Sequence, residues 1–133
     1  MNTPVYDFLI QYAERDPVRL HMPGHKGRFG APALQRATTL DLTEITGADS
    51  LFEAEGILAE SERNAASLYG TAYTFYSCGG STLCIQTMLL LMKQQGRAVL
   101  AARNVHRAFL NTCVLLDLPV QWIYPRESDG ILS

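Results

Sequence analysis

The chain is poor in the residues that most often announce a function on their own. Its 133 residues hold three cysteines, Cys78, Cys84 and Cys113, too few and too irregularly spaced for a disulfide framework. No CxxC pair is present, which excludes a zinc ribbon or a thioredoxin-type motif and makes a reducing, cytoplasmic setting the expectation. No run of like charge is long enough to form a tail, and a formal charge of -2 gives no electrostatic reason to expect nucleic acid or an anionic membrane as partner. The longest apolar stretch, around Met88 to Met92, falls far short of the roughly 20 residues that span a bilayer. The amino terminus carries charges within its apolar pattern and lacks the basic start and apolar core of a signal peptide.

What the chain does have is the composition of a globular domain, 47% hydrophobic and 18% charged. Pro4 to Glu14 reads as a helix, with Thr3 as cap, Pro4 in the first turn and Val5, Phe8, Leu9 and Tyr12 at helical spacing. His21 to Gly56, punctuated by proline and glycine, reads as an irregular stretch that lies against a partner or serves a function. Ile57 to Tyr69 is expected to be a partly solvated helix, its apolar stripe interrupted by Glu62 and its end set by Gly70. Then follow a β-rich run at Ala72 to Ser77 and a helix capped by Ser81 or Thr82 and reaching Gln95. A strand at Ala98 to Ala102, a helix at Val105 to Leu116 and a strand at Val120 to Tyr124 complete the order. Strands alternating with helices indicate an α/β fold with a mostly parallel sheet, and strands apolar throughout suit a sheet covered on both faces. The expected division is residues 1–56, a helix and irregular arm, and 57–133, the start of a larger domain.

Ser77-Cys-Gly-Gly-Ser-Thr82, between a strand and a helix, is the sharpest local motif. Glycines let the backbone approach a ligand, and a helix start offers unpaired N–H groups and a favourable dipole to a phosphate. An ordinary turn with an N-cap accounts for the same residues. The segment is neither a Walker loop nor a GxGxxG fingerprint. His106 follows the next strand, where parallel strands bring their carboxyl ends together; it suits ring stacking or proton transfer, and equally a polar helix start. His21-Met-Pro-Gly-His-Lys-Gly27 is dense in functional side chains, but Pro23 and Gly24 argue against the helix that two metal-binding histidines four apart require. No metal site is expected. The acidic set of Asp41, Glu44, Asp49, Glu53, Glu55, Glu60 and Glu62 reads as a solvated face with some helix-start charges, and Met88 with Met92 as core packing.

Taken in order, the His21–Gly27 segment, Asp41-Leu-Thr-Glu44, Asp49-Ser-Leu-Phe52, Ala65-Ala-Ser-Leu-Tyr-Gly70, Gly79-Gly-Ser-Thr82 and Arg103-Asn-Val-His106 resemble the amino-terminal part of the ornithine/lysine/arginine decarboxylases. These are fold-type-I pyridoxal-phosphate enzymes. The resemblance implies an aspartate-aminotransferase-like large domain in which Gly79, Gly80, Ser81 and Thr82 hold the cofactor phosphate. It also implies that His106 stacks on the cofactor ring. His21, Pro23, Gly24, His25 and Lys26 would then form a substrate or interface loop in a homodimer or higher oligomer acting on a basic amino acid. Gly80 stands where the family often has a hydroxyl residue, which shifts phosphate holding toward backbone N–H groups.

Such chemistry needs a lysine for the Schiff base and an acidic partner for the ring nitrogen. Lys26 and Lys93 are the only lysines, and neither matches the family's by order or context. The expectation is therefore an inactive amino-terminal fragment of such an enzyme. Another fold-type-I enzyme, an aminotransferase or a carbon–sulfur lyase, and a non-catalytic pairing module are the alternatives.

Overall fold

The computed structural model describes residues 2–124 together with the backbone of 127–128 and 131–132. Two compact units divide the chain, Met1–Tyr76 and Ser77–Ser133.

The first unit is helical. Helix α1 (Pro4–Glu14) packs on α2 (Pro32–Leu40) and on α3 (Ile57–Tyr69). Both α1 and α3 have the bounds their sequence signals predict. Pro4 sits in the first turn of α1, where its missing N–H costs nothing. Thr3 takes the cap position, but the acceptor is Asp7, whose carboxylate receives the Thr3 N–H at 3.2 Å and the Thr3 hydroxyl at 2.9 Å. Gly70 closes α3 in the left-handed conformation (φ +65°), and the next amide bonds back to the Ala66 carbonyl at 3.0 Å. Only Ala66 of α3 is fully buried, as the interrupted stripe predicts.

Two expectations fail in this unit. Helix α2 lies inside the stretch expected to be irregular: Pro32, read as punctuation, is a first-turn proline. Ala72 to Ser77 forms no strand. Its β-rich composition reflects Tyr73 and Phe75, which stack on each other at 6.3 Å and remain mostly exposed. Strand propensity is expressed only when a neighbouring strand supplies hydrogen bonds.

The second unit is a βαβ arrangement. Helix α4 (Gly80–Gln94) leads to β1 (Val99–Ala102), α5 (Arg107–Leu115) and β2 (Val120–Ile123). The two strands pair in parallel from Val99↔Val120 to Ala102↔Ile123. A further antiparallel pair, β3 (Glu127–Ser128) with β4 (Ile131–Leu132), follows. The core holds Leu89, Val99, Cys113 and Leu118, with Ile85, Met92, Phe109, Leu116 and Val120 packed against it. Burial alternates along β1: Val99 and Ala101 are buried, while Leu100 is 63% exposed. The sheet is thus two-stranded where three strands were expected, and covered on one face where two were expected. Met88 also departs from expectation, being 54% exposed, whereas Met92 joins the core. No helix among the described residues is long and apolar enough to cross a membrane.

Candidate functional site

Helix α4 starts at least two residues earlier than a cap at Ser81 or Thr82 implies. Gly79 is the cap and Gly80, at φ +62°, opens the helix, so Ser81 and Thr82 lie in the first turn. An added Cβ on Gly80 would meet nothing within 4 Å, so the left-handed backbone, not crowding, calls for glycine there. The cap makes no side-chain hydrogen bond, and the first turn holds no acidic residue. The Gly79 N–H donates to the Ser77 hydroxyl at 3.1 Å, and the first amide to reach back along the helix is that of Leu83, to the Gly79 carbonyl. The amides of Gly80, Ser81 and Thr82 are the orphan donors of a helix start. All of Gly79 to Thr82 is exposed.

His106 is the N-cap of α5. Its Nδ1 accepts the Ala108 N–H at 3.1 Å, which leaves Nε2 as the nitrogen carrying the hydrogen in the neutral ring. Its ring is exposed. The relation between His106 and the start of α4 follows from how the two helices run. Lys93, near the end of α4, donates its ammonium to the carbonyl of Leu116, just past the end of α5. One turn earlier in each helix, Leu89 and Cys113 share the core, and Ile85 and Phe109 pack against it. The helices therefore run in the same direction, with their amino ends at one end of the unit. The carboxyl end of β1 leads into α5 there, through Arg103 to His106. Arg103 is held over the Trp122 ring at 5.0 Å, which fixes this turn to β2.

The structure gives the His21–Gly27 loop mostly internal partners. His21 Nδ1 donates to the Met22 carbonyl at 2.5 Å, and Tyr12 Oη lies 2.8 Å from His21 Nε2. His25 accepts the Gly27 N–H on Nδ1 at 3.0 Å and donates from Nε2 to Asp41 at 3.1 Å. Lys26, at φ +52°, turns its ammonium back to the His21 carbonyl at 2.6 Å. Pro23 is half-buried and Gly24 exposed. This loop lies in the first unit and the α4 start in the second.

Asp49 is one of the helix-start charges expected within the acidic set. It is half-buried, not part of a solvated face, and sits at φ +68°. Its carboxylate accepts the N–H groups of Ser50, Glu55, Gly56 and Leu58 at 2.9 to 3.1 Å, the last two belonging to the start of α3. Desolvation pushes its pKa up, but the four backbone donors together outweigh this and lower it from 3.8 to about 2. A carboxylate seven residues before Gly56, the cap of α3, was the available signal.

The family profile described as "Orn/Lys/Arg decarboxylase, major domain" matches residues 3–132. The chain belongs to this family. Among its relatives, the arginine decarboxylase of Halalkalibacterium halodurans is 32% identical over 98% of this chain and 28% of its own length. The arginine decarboxylase of Bacillus subtilis is 32% identical with the same coverage. The lysine decarboxylase LdcA of Pseudomonas aeruginosa is 23% identical over 98% of this chain and 19% of its own length. The chain thus spans little more than a quarter of the length of the first of these relatives.

Proposed function

We propose that this chain contributes the cofactor-phosphate loop and the ring-facing histidine of a pyridoxal-phosphate-dependent decarboxylase of a basic amino acid. The cytoplasmic, homo-oligomeric, aspartate-aminotransferase-like enzyme of the sequence reading, with residues 57–133 as the start of its large domain, belongs to the same proposal. Family membership and the relatives' names support decarboxylation. The observation that carries the cofactor reading is the start of α4, where three orphan amides and two hydroxyls meet at the helix dipole and the first turn holds no acidic residue. A dianionic phosphate matches that donor set, since charge-assisted bonds to backbone N–H groups are short and strong.

In this reading the amides of Gly80, Ser81 and Thr82 and the hydroxyls of Ser81 and Thr82 anchor the phosphate. His106, whose Nδ1 is already committed to α5, offers its ring face and its Nε2–H at the same end of the unit. When bound, pyridoxal phosphate supplies an electron-withdrawing ring that takes up the electron pair left as carbon dioxide departs. Neither lysine of this chain is proposed to hold the cofactor. Lys93 is tied to Leu116 at the far end of α4, roughly 20 Å from Gly80 at 1.5 Å per residue. Lys26 is engaged on the His21 carbonyl in the first unit.

Titration of the chain with pyridoxal phosphate, followed by amide chemical shifts, tests this reading. The amides of Gly80, Ser81 and Thr82 and the ring of His106 should move together. Ser81→Ala should weaken binding by about 1.5–3 kcal/mol, the range for a hydrogen bond to a charged group. Shifts confined to the first unit would remove the site, and an unchanged affinity in Ser81→Ala would mean that the Ser81 hydroxyl takes no part in it. In a protein as long as the relatives, carbon dioxide release from arginine, lysine or ornithine is the expected activity; keto-acid formation without it would favour an aminotransferase.

A further inference from the structure

Arg19 is a buried cation with no carboxylate against it: among the described residues its partners are backbone carbonyls and one aromatic ring. It is 8% exposed. Its guanidinium donates to the Thr39 carbonyl at 2.6 Å and reaches those of Thr38 and Asp41 at 3.5 Å. These oxygens lie at the carboxyl end of α2, where a helix leaves its last carbonyls unpaired and carries partial negative charge. The other side of the guanidinium lies over the Tyr12 ring, 5.1 Å from its centroid. Gly27, at φ +76°, passes so close that a Cβ there would stand 2.6 Å from Arg19 Cζ. The Gly27 carbonyl in turn accepts from Gln35 Nε2 at 2.8 Å, on α2.

We infer that Arg19 is the positioning residue of the His21–Gly27 loop, and that by anchoring the His21 ring through the Tyr12 hydroxyl it holds Nδ1 against the Met22 carbonyl, which sets which nitrogen carries the proton. The flat cation fills the space between the α2 terminus, the Tyr12 ring and the Gly27 backbone. That fixes both ends of the loop: His21 through the Tyr12 hydroxyl, and Gly27 by direct contact. A carbonyl can only accept, so the Met22 oxygen keeps the hydrogen on His21 Nδ1, and in the neutral ring Nε2 accepts from Tyr12. Free imidazoles usually favour the opposite tautomer, so the pair Tyr12–His21 records whether the loop is in place. The importance of that loop for substrate or assembly rests on the decarboxylase reading; the tautomer does not.

The test uses the full chain without cofactor. Nitrogen-15 spectra of the imidazole rings should show His21 protonated at Nδ1 and unprotonated at Nε2. In Tyr12→Phe, which keeps the ring under Arg19 and removes only the hydroxyl, the pattern should shift toward Nε2–H. In Arg19→Lys the ammonium can neither stack flat nor span the carbonyls. The His21 pattern should shift there too, and the Gly27 amide should exchange at least about tenfold faster, as loss of a charged hydrogen bond implies. A wild-type His21 pattern in folded Arg19→Lys would overturn the inference. Should Arg19→Lys fail to fold, Tyr12→Phe decides, and an unchanged tautomer there would overturn it. Because ring nitrogens are read without pyridoxal phosphate, failure of the decarboxylase reading would leave this result standing.

Discussion

The two units meet the same physical problem, the unpaired backbone groups at helix ends, but one of them leaves a helix start unmet. In the first unit, charged side chains from distant positions supply the partners: Asp49 at the start of α3 and Arg19 at the end of α2. In the second, Lys93 and His106 serve the two ends of α5 and an apolar cluster around Leu89 holds the helices, but the start of α4 keeps its donors exposed. The first unit consumes its charge–dipole interactions internally. The second leaves one such set available to a ligand, which is why the cofactor proposal rests on α4 and not on α3.

The largest expected effect tests the apolar side of this contrast. Leu89 is 2% exposed, and Leu89→Ala should destabilise the second unit by about 3 kcal/mol, within the range for buried leucine truncations. Amide exchange at Val99 and Cys113 should report the loss. A cost below about 1 kcal/mol would mean that the cluster is not what holds the unit.

The next effect tests the charged side. Asp49→Asn keeps a residue that tolerates φ +68° and an oxygen in place, but removes the charge. Exchange of the Gly56 and Leu58 amides should accelerate on the order of tenfold. The native carboxyl has a lowered pKa, so its contribution to stability is full above the unfolded value of 3.8. It is lost as pH falls through about 2. The stability difference between native chain and Asp49→Asn should therefore shrink across that acid window. A constant difference would mean that geometry, not charge, secures α3.

How much of this the sequence disclosed depended on where the partners lie. The bounds of α1 and α3 were legible because their signals, Pro4, Thr3 and Gly70, lie next to the elements they bound. Helix α2 was not, because its carboxyl end is held by Arg19, twenty residues before Thr39. That some of the acidic set serves a helix start was legible, but not that Asp49 does, since the amides that donate to it lie up to nine residues on. The α4 motif could be located, with its start shifted to Gly80, since glycines mark it locally. The absence of a strand at Ala72 to Ser77 was illegible, because strand formation depends on a neighbour that a local pattern cannot reveal.

The smallest effect sharpens the contrast along α4 itself. Met88 and Met92 lie one turn apart and looked equivalent, yet Met92 packs against the core and Met88 is 54% exposed. Met88→Ala should change stability by less than about 0.5 kcal/mol, as surface substitutions do, while Met92→Ala should cost more, about 1–2 kcal/mol for a partly buried side chain. Thermal unfolding of the two variants side by side decides the point. An equal cost would mean that the Met88 face of α4 is covered in solution, as by a second copy of the chain. The second unit would then bury two faces of α4, and the orphan donors at the helix start would have to be sought beneath whatever covers it.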